Sequence, residues 1–297
     1  MSQLGKISIN GSSKMRIVVN GLGEMGASLA LAIKNGQENA EIIGVDLNVK
    51  TLQRAKEIGL ADEVNTDLFA VAPTADVIIL ATPIHIIIDS LHKLSHADLK
   101  STVLITDTGS TKKQVMDAAD ELINNGTSFV GGHAMAGTAK AGIDALDAHL
   151  YDSAPYFLVS ENQADLDRLR NLLSSLHLNF VETTAKKHDE MMAMLSDLPH
   201  IVAASLVNAS SLTLANHPEL PQYAAGGFKD TTRIGGADPQ MWTDILQTNR
   251  DATLEAIELY QQQIDTLKQA LINNNSTEIF DFFAASKQTR MTMEEDF

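Results

Sequence analysis

From Met15 onward, short apolar runs alternate with amphipathic stretches, the pattern of strands joined by helices in βαβ units. The run Met15-Arg16-Ile17-Val18-Val19-Asn20 predicts a buried strand. Residues 25–35, rich in Ala and Leu and closed by Gly36, predict the helix after it. A second strand is expected over 41–46, and a third helix–strand round ends in 76–83, where Pro83 stops the strand. Strands over 102–106 and 128–131 bracket a helix over 111–125. Two late strands, 155–160 and 179–182, flank a helix over 165–176.

After Val181 the pattern changes to long runs of helix formers with few β-branched clusters. One helix is expected over 185–214, interrupted at Pro199, which lacks a backbone donor. Another spans 252–273, with Thr253, Ala256, Ile257 and Tyr260 along one face. The expected architecture is therefore α/β: a Rossmann-type N-terminal domain over 15–182 followed by an all-α C-terminal dimerisation domain over 183–297. Residues 1–14, polar and rich in Ser, Asn and Gly, read as a short flexible leader. Apolar Ala, Leu and Met faces on the helices make a homodimer the expected assembly.

Composition narrows the picture. At 297 residues, with 44% apolar and 20% charged positions, the chain has length for two packed cores. It contains no cysteine, which excludes disulfides, thiolate metal sites and a cysteine nucleophile. The formal charge of −16 sets the surface against nucleic acid and anionic membranes. No stretch of about 20 uninterrupted apolar residues is found, and the N-terminus lacks a signal-peptide core, so a cytoplasmic location is expected.

The loop Gly21-Leu22-Gly23-Glu24-Met25-Gly26 directly follows a predicted strand and opens a helix. Asp46 stands at the end of the second strand, 20 residues beyond Gly26. This is the context in which G-x-G-x-x-G binds a dinucleotide. Gly21 would make the tight turn, Gly23 let the backbone approach a pyrophosphate, and Gly26 let the helix pack on the strand. Asp46 would accept from the adenosine ribose hydroxyls. A 2′-phosphate would meet that carboxylate, and no arginine follows it in Asp46-Leu47-Asn48-Val49, so NAD is expected rather than NADP. Thr82 and Pro83, at the end of the strand over 76–83, are assigned to the cofactor site with the loop.

Candidate chemistry lies at later strand ends, where open α/β sheets bind ligands. Ser110, in Asp107-Thr108-Gly109-Ser110-Thr111-Lys112, is one such residue, although a serine there also reads as a helix cap. His133, in Gly131-Gly132-His133-Ala134-Met135-Ala136-Gly137-Thr138, has small neighbours, room for substrate and a side chain that titrates near neutrality. The helical half carries His188-Asp189, Asp197-Leu198-Pro199-His200 and Lys229-Asp230-Thr231-Thr232-Arg233. Arg233 could clamp a carboxylate in bidentate fashion. His188 and His200 lack a metal-ligand spacing, so no metal is expected.

Taken together and in order, five of these motifs make the chain resemble the prephenate/arogenate dehydrogenase family from about Met15 to Asn249. They are the glycine loop, Asp107-x-Gly109-Ser110-x-Lys112, Gly132-His133-x-Met135-Ala136-Gly137, Leu198-Pro199-His200 and Asp230-Thr231-Thr232-Arg233-Ile234. The resemblance implies NAD-dependent oxidative decarboxylation of a cyclohexadienol dicarboxylate in tyrosine biosynthesis. It makes His133 the base that accepts the ring-hydroxyl proton and Ser110 the group orienting His133 and the nicotinamide. Arg233 would bind a substrate carboxylate and His200 would contact substrate, with Lys229 a nearby cation and Thr138 and Asp197 further substrate contacts. Substrate would then bind in a cleft between the two domains.

The chain departs from the family pattern at three positions: Ala134 replaces the usual proline, Ala139 a common acidic residue, and Asp197 the first histidine of Ser-His-Leu-Pro-His. A carboxylate at 197 would repel a keto-acid side chain and attract an ammonium, so arogenate is weighed as an alternative to prephenate. The chain ends at Phe297 without length for a C-terminal regulatory domain, so any tyrosine feedback is expected at the active site. Two other readings remain at this point. A β-hydroxyacid dehydrogenase or imine reductase would rely on Lys186 or Lys187, and a non-catalytic NAD-binding regulator would keep the fold without turnover.

Overall fold

The computed structural model describes residues 14–138 and 140–294. The expected leader (but for Lys14) and the departure at Ala139 lie outside the described residues. The chain forms two compact units. The first comprises residues up to Met192 together with Ala237–Asn249, and the second 193–236 together with the chain from Arg250.

The first unit is built on one eight-stranded sheet. Its strands are β1 (Met15–Asn20), β2 (Ala40–Val45), β3 (Glu63–Asn65), β4 (Val77–Leu80), β5 (Leu104–Asp107), β6 (Ser128–Ala134), β7 (Pro155–Val159) and β8 (Asn179–Glu182). Their order is β3-β2-β1-β4-β5-β6-β7-β8. All neighbours run parallel except β6 and β7. The order 3-2-1-4-5-6 is that of a doubly wound dinucleotide fold, with its crevice where connections diverge after β1 and β4. The short β3 and the helix Ile84–Leu94 are additions to the elements expected from the sequence.

Alternation along the strands divides the core between the two faces. Ile17, Val19 and Ile79 pack with Leu29, Ile33 and Leu169 on one side. Val18, Ile78 and Leu80 pack with Ile87, Leu91 and Phe129 on the other. Both faces are covered by helices, so the strands read as continuous apolar runs. Burying each such side chain contributes about 1.5–3 kcal/mol, enough in sum to hold the strand ends in fixed register.

The second unit is helical. The expected interruption near Pro199 appears as a widened π-turn, Ala193–Asp197, ahead of the helix Leu198–Leu214. The turn precedes the residue that cannot donate to the helix ladder. Helices Arg250–Ile272 and Ser276–Glu294 follow, the latter beyond the last helix expected from the sequence. The buried apolar cluster here is small, formed by Ala193, Leu198 and Ala256. The run Ala185–Ser211 is long and apolar enough by length and composition to cross a membrane, with mean hydropathy 1.2. It also carries His188 and Asp189 as wholly or largely buried polar residues.

Candidate active site

The glycine loop and the end of β4 meet at the sheet's crossover point. Asn20 is in register with Leu80, and the Ala81 N–H donates to the Asn20 carbonyl at 2.7 Å. Gly21 is left-handed, with φ 97°, and a Cβ there would lie 2.5 Å from the Ala81 carbonyl oxygen. Only glycine fits that turn. Gly26 packs against the carbonyl of Gly21. Over Gly23 the space is open: a Cβ would meet nothing within 4 Å. No side chain caps the helix Glu24–Gly36 that starts beside it. Unused N–H donors next to open space suit a pyrophosphate.

Asp46 is fixed at the end of β2. One carboxylate oxygen accepts from Leu22 N at 3.0 Å and the other from Asn48 N at 2.8 Å. Two carboxylate oxygens have about four acceptor sites, so capacity remains for a ribose diol. The Leu22 side chain is fully buried, which leaves only its backbone for a ligand. The Met25 carbonyl accepts from the Tyr151 hydroxyl at 2.8 Å. Pro83 occupies the cap of helix Ile84–Leu94, and the Thr82 hydroxyl is buried with no hydrogen-bond partner among the described residues.

At the end of β6 stands His133, which is in register with Phe157 of β7. Its Nδ1 lies 2.9 Å from Nε2 of His188, and the Nδ1 of His188 lies 2.7 Å from Asp189 Oδ1. Phe157 stacks edge-on against His188, with ring centroids 5.2 Å apart. The Asp189 carboxylate also accepts from Lys112 N at 2.7 Å and Lys113 N at 2.8 Å. Thus it caps the helix Lys113–Asn124 from another part of the chain. Asn249 closes the cluster, its side-chain amide donating to the Asp189 carbonyl at 2.9 Å.

This network assigns the tautomers. A carboxylate only accepts, so His188 carries its proton on Nδ1 and presents a lone pair at Nε2. His133 must then donate from Nδ1, which leaves Nε2 of His133 as the basic nitrogen. Burial pushes the His133 pKa well below the usual histidine value, and His188 and Lys112 push in the same direction. The His188 pKa is also lowered, by burial first, while its hydrogen bond to Asp189 works the other way. A neutral His133 can accept a proton at pH 7.

Beneath this cluster, Lys112 and Asp107 form a wholly buried ion pair with Nζ and Oδ2 2.5 Å apart. Asp107 also accepts from Gly109 N at 2.8 Å and Gly132 N at 3.0 Å, joining the Ser110 loop to the His133 strand. Ser110 is half-buried in that loop. It is not the helix cap it resembles in sequence, since the cap position is Lys112. Phe157 carries no signal of a site role in the sequence, and His188-Asp189 is a candidate there without an assigned role. The adjacent His-Asp pair was a visible signal, but its partner lies 55 residues away.

Thr138 is held by Glu24. Its N–H donates to Glu24 Oε2 at 2.9 Å and its hydroxyl to Oε1 at 2.5 Å. Glu24, expected at the cofactor, therefore turns its side chain toward the loop after β6.

In the second unit, His200 donates from Nδ1 to the Ser196 carbonyl at 2.9 Å. Arg233 opens the 3-10 turn Arg233–Gly236, and Lys229 lies on the preceding helix Gly226–Thr232. That turn sits on the His200 helix: a Cβ at Gly235 would lie 3.0 Å from the Ala203 carbonyl. Arg233 and Lys229 are exposed, and among the described residues no ion pair involves either. Asp197, expected as a substrate contact, lies in the π-turn of this unit. It is 1% exposed, and the Thr253 hydroxyl donates to its carboxylate at 3.0 Å. This hydrogen bond ties the π-turn to the helix Arg250–Ile272.

Among the described residues no cluster of His, Asp and Glu could hold a metal ion. A family model described as prephenate dehydrogenase, nucleotide-binding domain, matches residues 29–182, and one described as prephenate dehydrogenase, dimerization domain, matches 184–285. A prephenate dehydrogenase of Lactococcus lactis subsp. cremoris is 40% identical over 281 residues, 94% of this chain and 77% of that protein. A crystal structure of prephenate dehydrogenase from A. aeolicus in complex with hydroxyphenyl propionate and NAD+ has a TM-score of 0.85 at 30% identity, covering 96% of this chain and 100% of that one. The structure of a Synechocystis arogenate dehydrogenase has a TM-score of 0.78 at 33% identity, covering 94% and 100%.

Proposed function

We propose that this chain, which belongs to the prephenate dehydrogenase family, is an NAD-dependent prephenate dehydrogenase that converts prephenate to 4-hydroxyphenylpyruvate and CO2 in tyrosine biosynthesis. The observation that carries the reading is the chain Asp189–His188–His133 at the strand end beside a dinucleotide crevice. Nε2 of His133 takes the proton of the substrate's ring hydroxyl. His188 holds the ring of His133 in that tautomer, and Asp189 holds His188. NAD, when bound by the Gly21–Gly26 loop and Asp46, supplies the hydride acceptor. The open space over Gly23 and the uncapped helix start fit its pyrophosphate. Ser110 orients His133 from the adjacent loop.

Arg233 binds a substrate carboxylate, with Lys229 a nearby cation and His200 a further contact. An exposed guanidinium with no carboxylate partner among the described residues supports that role. With a formal charge of −16, the chain needs such local cations for a dianionic substrate to approach against the global field. The engaged state of Asp197 gives no support to arogenate as the preferred substrate. Lys186 pairs with Glu190 on the surface at 3.7 Å, so a lysine-based hydroxyacid chemistry has no anchor there. The protein acts as a cytoplasmic homodimer in this reading. Leu259, Ile264, Leu271, Phe280 and Phe283 are exposed on helices of the second unit, an apolar surface that a partner subunit would cover. The test is NADH formation by the purified protein with prephenate and with arogenate. Prephenate turnover with NAD is expected to be the faster, and turnover with neither compound overturns the proposal.

A further inference from the structure

The Glu24–Thr138 contact is built from parts that do different work. Glu24 is the first residue of the helix Glu24–Gly36, in the phosphate-binding turn, and is 8% exposed. A carboxylate there would oppose the negative charge of a pyrophosphate if it faced the crevice. Instead both oxygens are occupied by the two donors of one residue, Thr138 N and Oγ1. Thr138 Oγ1 in turn accepts from Lys140 N at 3.0 Å, so its donor and one of its lone pairs are already used. Gly137 makes the approach with a left-handed φ of 113°. The same loop is fixed elsewhere to this helix, by the Tyr151 hydroxyl on the Met25 carbonyl and by Asp147 N on Ser28 Oγ at 2.9 Å. Loss of the Glu24 contact would therefore free the segment nearest His133 without detaching the rest.

We propose that Glu24 is a positioning residue for substrate, acting through Thr138: it clasps the loop after His133 to the cofactor turn. Thr138 serves substrate by holding the loop rather than by donating to a substrate carboxylate. The inference rests on the reading that the segment after His133 borders the substrate. It predicts a specific split between the two ligands. Removing the carboxylate loosens the substrate loop, yet it also removes a negative charge from the pyrophosphate cradle.

The test compares Glu24→Ala, Glu24→Gln and Thr138→Val with the wild type. In Glu24→Ala the KM for prephenate is expected to rise about tenfold with kcat within about threefold. The NADH Kd measured by fluorescence is expected to stay level or tighten. Glu24→Gln keeps an acceptor for the amide and offers its own N–H to the hydroxyl oxygen, so it recovers most of the loss. Thr138→Val keeps the N–H donor and gives a smaller rise. Equal losses for both ligands, a Gln variant no better than Ala, or an unchanged prephenate KM would overturn the clasp. Hydrogen exchange separates this outcome from a failure of the functional reading. The Thr138 amide should exchange faster in Glu24→Ala even in a protein that does not oxidise prephenate, and unchanged protection there also overturns the clasp.

Discussion

The two imidazoles of His133 and His188 meet through Nδ1 and Nε2 at 2.9 Å, although the residues are 55 positions apart. Because Asp189 fixes the proton of His188, the contact also decides which nitrogen of His133 is free to act. His188→Asn and Asp189→Asn should therefore each lower kcat about 10- to 100-fold while leaving the NADH Kd near wild type, part of the 10²–10⁴ that a positioned base contributes. Steady-state kinetics with fluorescence titration checks this; an unchanged kcat in both variants would remove the relay from the account.

The lowered pKa of His133 sets a pH signature. The base is active when neutral, so kcat/KM should stay flat as pH falls through 6.5 and decline only below it. The same shift acts on stability with a definite sign. The unfolded histidine binds protons from about 6.5 downward and the folded one does not, so stability falls as pH drops below 6.5 until the folded group titrates. Kinetic profiles from pH 5 to 9 are the check, and an acid limb at or above 6.5 would contradict the assignment.

Lys112 and Asp107 are both fully buried, and removing one partner leaves the other without its counter-charge. Lys112→Met should destabilise the protein by about 3 kcal/mol, toward the low end for a broken buried pair, since two backbone amides still hold Asp107. Denaturant unfolding measures it; a loss below about 1 kcal/mol would mean the pair is not needed to hold the Ser110 loop.

Arg233→Ala should raise the prephenate KM about 10- to 100-fold, the scale of a lost charge-assisted hydrogen bond of about 1.5–3 kcal/mol. Arg233→Lys should recover little of that, because an ammonium cannot make the bidentate contact. If Lys restored full affinity, Arg233 would be acting only as a charge.

The parts of this fold that were legible in the sequence are those set by local pattern. Runs such as Ile17-Val18-Val19 announce strands because both faces of a parallel sheet are buried. Gly21 and Gly26 announce a turn whose close contacts the structure contains. Pro199 announced an interruption, and a π-turn precedes it. What was not legible depends on distant pairing. Ser110 looked like a helix cap, yet the cap comes from Asp189, 77 residues beyond Lys112. Nothing local in the sequence signals that the Asp197 carboxylate accepts from Thr253, 56 residues on. Glu24 read as part of a phosphate loop because nothing local signals a partner 114 residues away. A side chain's hydrogen-bond partner is a tertiary fact, and residue type with spacing names only the candidates.

The most direct test of the central claim is the His133→Asn variant, assayed with prephenate and NAD beside the wild type. The wild type is expected to form NADH and 4-hydroxyphenylpyruvate in equal amounts. In the variant, kcat should fall about 10²- to 10⁴-fold with NADH affinity retained. A variant that binds NADH and still turns over prephenate within threefold of wild type would show that His133 is not the base.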